Sequence, residues 1–174
     1  VDGFFERGLK PWDHAAADLL VTESGGEIAW IDDQERPLTV AAGPALIEQL
    51  VAVANDEGWV ITLHMVKSRA VADPDNIHWI RRYCETYPNM RLILAHSARG
   101  FQPAHNLEGL PQLTGLDNLY FDTSVNCEPI AHQAIIRIIG HEKLMYGSDL
   151  PVCPLRGRSV SAADSFLWLY EDTP

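Results

Sequence analysis

Four runs of mostly apolar residues show no in–out alternation: Trp59 to His64, Arg91 to His96, Asn118 to Asp122 and Lys143 to Asp149. A strand with one wet face alternates apolar and polar side chains. A continuous apolar run marks a strand covered on both faces, as in a parallel sheet. Helices are expected between the runs, over Asp75–Tyr87, Leu107–Leu113 and Pro129–Ile139, with a final helix over Ser161–Tyr170. Asp73-Pro74 supplies a start signal and Gly140 a stop. This β-α-β-α-β-α-β-α order predicts an α/β chain built on a four-stranded parallel (βα) sheet, or half of a closed barrel. A full (β/α)8 barrel needs roughly 250 residues, and this chain has 174.

Upstream of these runs the pattern is less regular. Val1 to Ile31 reads as a loop, a helix over Ala15–Val21 ended by Gly25-Gly26, and a strand over Glu27–Ile31. Pro11 opens that helix, and Asp13 sits in the turn that follows. Pro37 to Ala42 reads as a short extended piece, and Gly43-Pro44 opens a helix from Ala45 to about Asn55.

Charge and cysteine content narrow the function classes. Lys and Arg number 13 against 24 Asp and Glu, a formal charge of −11. Nucleic-acid phosphates demand a basic footprint, so neither nucleic acid nor an anionic membrane surface is an expected partner. No apolar run approaches the roughly 18 residues of a membrane span, and no signal peptide is visible. Cys84, Cys127 and Cys153 form no C-x-x-C pair, so a reducing, cytoplasmic setting is expected rather than a disulfide framework or zinc knuckle.

The chemistry concentrates at the strand ends. His64, His96 and Asp149 finish three of the predicted strands, and Asp122 finishes the other. In parallel α/β architectures side chains converge at the C-terminal ends of strands. Imidazole and carboxylate ligands there suit a Zn²⁺ or similar divalent ion that activates water. His14, His78, His105, His132 and His141 are assigned to surface or helix positions. Arg69, Arg99 and Arg156 lie in loops just beyond strand ends, where each could hold a substrate carboxylate or simply make an ion pair.

Ile61-Thr62-Leu63-His64-Met65, Leu92-Ile93-Leu94-Ala95-His96, Tyr120-Phe121-Asp122-Thr123-Ser124 and Leu144 through Pro151 stand in a characteristic order and spacing. Over about residues 45–170 the chain resembles the C-terminal half of a metal-dependent amidohydrolase of the decarboxylase-like branch, strands five to eight of a TIM-type barrel. The resemblance implies that His64 binds the metal, Zn²⁺ or Mn²⁺. It implies that His96 is a second ligand or the acid/base, and that Asp149 binds metal and takes a proton from the attacking water. A small carboxylate-bearing substrate is the implied partner. One departure is plain: the family's first strand carries an H-x-H pair that anchors the metal, and no H-x-H occurs in this chain.

The opening residues resemble another family. Trp12-Asp13-His14-Ala15-Ala16 followed by Glu23-Ser24-Gly25-Gly26 is similar to the C-terminal signature of inositol-monophosphatase-type phosphatases, and Arg36 to Ala45 to the tail of that family. That resemblance implies Asp13 as a Mg²⁺ ligand and Glu6 as a contact to a substrate hydroxyl. The upstream D-P-[IL]-D-G-T motif of those phosphatases is absent. The expected organisation is a phosphatase-like α/β segment over 1–45 and an amidohydrolase-like half-barrel over 46–174, with the seam in the helix around Ala45 to Glu57. Two half-barrels could pair to cover exposed strand edges. A Mg²⁺-dependent phosphatase fragment and a non-enzymatic chimeric or truncated product stay open beside the hydrolase reading.

Overall fold

The computed structural model describes residues 3–7, 27–31, 38–42, 44–65, 68–150 and 157–170, and for 3–7, 27–31, 38–42, 44–46 and 170 the backbone alone. Asp13, His14, Cys153, Arg156 and the helix expected over Ala15–Val21 lie outside the described residues.

Three strands open the chain: β1 (Gly3–Arg7), β2 (Glu27–Ile31) and β3 (Leu38–Ala42). Helix α1 (Pro44–Glu57) leads into β4 (Val60–Leu63), and α2 (Pro74–Thr86) into β5 (Arg91–Leu94). Helix α3 (Pro103–Gly109) and a 3₁₀ turn (Leu110–Leu113) precede β6 (Leu119–Asp122). Helix α4 (Pro129–Ile138) precedes β7 (Leu144–Met145), and β8 (Gly157–Ala162) and β9 (Ser165–Tyr170) close the described chain.

The α/β alternation expected between residues 45 and 145 is present. β4, β5, β6 and β7 are parallel neighbours in that order, with Ile61 opposite Leu92, Ile93 opposite Tyr120 and Phe121 opposite Leu144. The predicted strand over Lys143–Asp149 is shorter than expected. It pairs only at Leu144 and Met145, after which Gly147 turns its amide and carbonyl to the Thr123 hydroxyl, both at 3.2 Å.

Two further expectations are corrected. Gly3–Arg7, expected as loop, is a strand, and β1, β3 and β2 form an antiparallel set. β2 then pairs antiparallel with β4, Trp30 opposite Thr62 and Ile31 opposite Ile61. The result is one mixed sheet ordered β1-β3-β2-β4-β5-β6-β7, open among the described residues, with β1 and β7 at its edges.

The expected helix over Ser161–Tyr170 is instead the second half of a hairpin, β8–β9, which forms a sheet of its own. Ser165 to Tyr170 is rich in aromatic residues, which fit a pleated, half-buried surface better than a helix. Alternation along β9 turns Phe166 and Trp168 onto Phe101 (ring centroids 5.0 and 4.6 Å) and leaves Leu167 and Leu169 exposed.

The core lies between the parallel strands and their helices. Ile47, Val51 and Ala54 of α1, Ile77, Ile80 and Cys84 of α2, and Ile135 of α4 bury against Leu92, Leu94, Leu119 and Phe121. Helix α2 starts where Asp73 accepts hydrogen bonds from the amides of Asp75 (3.0 Å) and Asn76 (3.4 Å), with Pro74 in the first turn. Its far end is tied to β6 by the buried Asn118, whose amide nitrogen lies 3.0–3.3 Å from the carbonyls of Cys84, Tyr87 and Met90. Helix α3 approaches the backbone at Val71 so closely that a Cβ on Gly109 would stand 2.1 Å from the Val71 carbonyl oxygen. Among the described residues no helix is long and apolar enough to cross a membrane.

Candidate functional site

The C-terminal ends of β4 to β7 bring together most of the polar residues singled out in the sequence. His64 follows β4 directly, and His96 stands two residues beyond β5. Their rings meet edge to face, centroids 4.8 Å apart. Asp149, beyond β7, places a carboxylate oxygen 4.0 Å from His96 Nδ1. Phe101 stacks on the His96 ring at 5.8 Å, and Phe101 in turn carries the β8–β9 hairpin.

The chain reaches His96 by an unusual route. His96, Ser97, Ala98 and Arg99 have φ of 58°, 55°, 59° and 55°, so the turn after β5 is left-handed. Each such L-residue costs roughly 1–2 kcal/mol, and the arrangement persists because hydrogen bonds hold it from several sides. Asp122 accepts from the His96 amide (2.9 Å), and the Ser97 hydroxyl donates to the Asp122 carbonyl (3.0 Å). Asn126 donates to the His96 carbonyl (3.0 Å) and Asn106 to the Ser97 carbonyl (2.8 Å).

Electrostatics separate the histidines. The surrounding protein, then the neighbouring His96 and Arg99, lower the His64 pKa to about 4, while Asp122 pulls it upward. His64 is nevertheless exposed to solvent, and water relieves part of the first effect. The direction leaves His64 neutral at physiological pH, the form that can ligate a metal. Burial lowers the Arg99 pKa, and its guanidinium lies over the Phe166 ring at 5.7 Å.

Other expected residues fall elsewhere. Arg69 pairs with Glu108 (2.5 Å) and lies 3.6 Å from Asp164, so its guanidinium already has carboxylate partners within the chain. Glu6 sits on β1 opposite Thr39, and its side chain is not described. His105 is on a helix as expected but buried, with Nε2 3.0 Å from Asp164 Oδ1. Asp122 was legible only as a strand end. Its bonds to the His96 turn, and the part of Ser124 in them, had no sequence signal beyond the Asp122-Thr123-Ser124 run.

Two imidazoles and a carboxylate are the donor types that suit Zn²⁺ or Mn²⁺. The set is partial as placed: among the described residues no group of three or more His, Cys, Asp or Glu side chains is arranged to hold a metal ion.

Comparison with known proteins agrees with this architecture. The amidohydrolase family matches residues 20–171, and the chain belongs to that family. The match begins upstream of residue 45 and takes in β2 and β3 as well as the hairpin. The family is one of hydrolases that generally use a divalent metal. Shorter similarities run to proteins of the inositol monophosphatase family. Nus factor SuhB of Escherichia coli strain K12 is 44% identical over 61 residues, 33% of this chain and 23% of that protein. Nus factor SuhB of Pasteurella multocida is 42% identical over 55 residues, 29% of this chain and 21% of its own length. The chain thus spans less than a quarter of these curated relatives. No solved structure matches it.

Proposed function

We propose that the chain carries the catalytic half of a metal-assisted hydrolase, or decarboxylase, for a small carboxylate-bearing substrate. The convergence of His64, His96 and Asp149 beyond the C-terminal ends of the parallel strands β4, β5 and β7 carries this reading. His64 and Asp149, with His96 as a second imidazole ligand or as the acid/base, would hold a Zn²⁺ or Mn²⁺ ion, which when bound acts as a Lewis acid. Asp149 would take a proton from the attacking water, and a His96 that is not a ligand would act as the acid/base that handles the substrate. Arg99 stands close enough to depress the His64 pKa, so its charge reaches the site and suits a substrate carboxylate. Arg69 already has carboxylate partners in Glu108 and Asp164.

With a partial donor set, metal binding is expected to be weak. Calorimetric titration of the purified chain with ZnCl₂ and with MnCl₂ tests the reading. The expected result is binding tighter than about millimolar, roughly −4 kcal/mol, lost in His64→Ala and weakened in Asp149→Asn. No binding of either ion in that range overturns it.

A further inference from the structure

The tautomer of His96 is readable from its neighbours. Nδ1 lies 3.0 Å from the backbone carbonyl of Ser124, a group that can only accept, so Nδ1 must carry the hydrogen. The Ser124 hydroxyl lies 3.0 Å from the same nitrogen. That hydroxyl spends its own proton on Asp122 Oδ1 at 2.5 Å, so it too meets Nδ1–H as an acceptor. One carboxylate oxygen of Asp122 therefore receives three donors: the Ser124 hydroxyl, the Ser124 amide (3.0 Å) and the His96 amide (2.9 Å). It fixes both ends of the contact, the backbone that bears the ring and the serine that receives its hydrogen.

We propose that Asp122, through the Ser124 carbonyl and hydroxyl that it holds, and Ser124 itself are positioning residues that lock His96 as the Nδ1–H tautomer, leaving Nε2 as the lone pair that meets a substrate proton. The use of Nε2 rests on the hydrolase reading above; the lock itself does not. A second interaction at the other ring nitrogen commonly sets which nitrogen of a functional histidine is available. Here the chain is carboxylate, hydroxyl, imidazole, and it crosses from β6 to the turn after β5. Asp149 Oδ2, 4.0 Å from Nδ1, adds a negative charge on the same side and favours the same tautomer. Gly147 leaves room for the arrangement, since a Cβ there would stand 3.2 Å from Ser124 Cβ and 3.3 Å from Asp122 Cβ.

The test is ¹⁵N–¹H correlation of the histidine rings in the metal-free protein, at a pH where the rings are neutral, with His96 assigned by His96→Gln. The expected spectrum shows His96 as a single species, protonated at Nδ1 and bare at Nε2. Asp122→Ala, which releases the Ser124 amide and hydroxyl and the His96 amide together, is expected to convert it to a mixture of two tautomers while the backbone amide spectrum away from the site persists. Ser124→Ala, which keeps the Ser124 carbonyl against Nδ1, is expected to leave it Nδ1–H. A merely structural role for Asp122 would not move the tautomer. If Asp122→Ala fails to fold, Asp122→Asn, which keeps the side-chain shape and removes the charge, decides alone. An Nε2–H ring in the unmodified protein overturns the proposal, as does a folded Asp122→Ala or Asp122→Asn whose His96 stays wholly Nδ1–H. The spectrum is taken without metal, so its outcome is separate from that of the zinc and manganese titrations.

Discussion

At the scale of single residues the chain separates reactive from inert groups by burial. Burial first, then the neighbouring Glu85, pushes the Cys84 thiol up to about 12 against the opposing pull of Arg81, whereas Cys127 is exposed. Thiolate is the nucleophilic form, so iodoacetamide at mildly alkaline pH should label Cys127 and spare Cys84, as read by peptide mass spectrometry. The sign for stability follows. A folded-state pKa above the ordinary 9.0 means that this contribution is fully present below pH 9 and is lost as the pH climbs towards 12. His64, His96 and Asp149 were legible in the sequence for a simple reason: the end of a continuous apolar run is a defined place in the fold. The joint action of Asp122 and Ser124 was not legible, because it depends on which neighbouring strand end lies within hydrogen-bond reach.

Among elements, the parallel strands were legible and the hairpin was not. Leu92 to Leu94 and Leu119 to Phe121 are apolar because both sheet faces are covered, and no helical period competes with that pattern. Ser165 to Tyr170 gives no such guidance. Phe166 and Trp168 face Phe101 while Leu167 and Leu169 face solvent, so both faces of the strand are apolar and the period of two is hidden. What fixes the hairpin is polar. The Gln102 amide donates to the carbonyls of Ala163 (2.9 Å) and Ser165 (3.1 Å) on either side of the turn. At its tip, the hydrogen bond from buried His105 lowers the Asp164 pKa below its usual value. Gln102→Ala should therefore cost about 1–2 kcal/mol in urea unfolding and speed amide hydrogen exchange in β8 and β9 before other strands. The Asp164 contact adds a pH dependence of known sign: it is present above the ordinary carboxylate pKa of 3.8 and is lost as the pH falls through the lower folded-state value. Faster exchange confined to the hairpin under acid is the expected signature.

For the whole molecule, the decisive junction is β2 against β4. The sequence divided the chain near residue 45 because its two halves resemble different families, and local pattern carries no information about pairing between distant strands. The backbone instead runs one sheet across that boundary, with Trp30 opposite Thr62. A variant beginning at residue 44 would bare the outer edge of β4, and an unpaired edge invites association. Size-exclusion chromatography should find it aggregated or oligomeric under conditions where the full chain is not; a monodisperse monomer would instead support two independent units. The left-handed turn after β5 has a consequence of another kind. His96 to Arg99 follow the helical sense natural to mirror-image amino acids. Ala98 is wholly buried and achieves this with the chirality that disfavours it. Chemical ligation placing D-alanine at position 98 should raise the stability of the protein by about 1–2 kcal/mol, measured as a shift in the urea midpoint. At this one bend beside the histidines, the stereochemistry that translation imposes on every residue works against the fold.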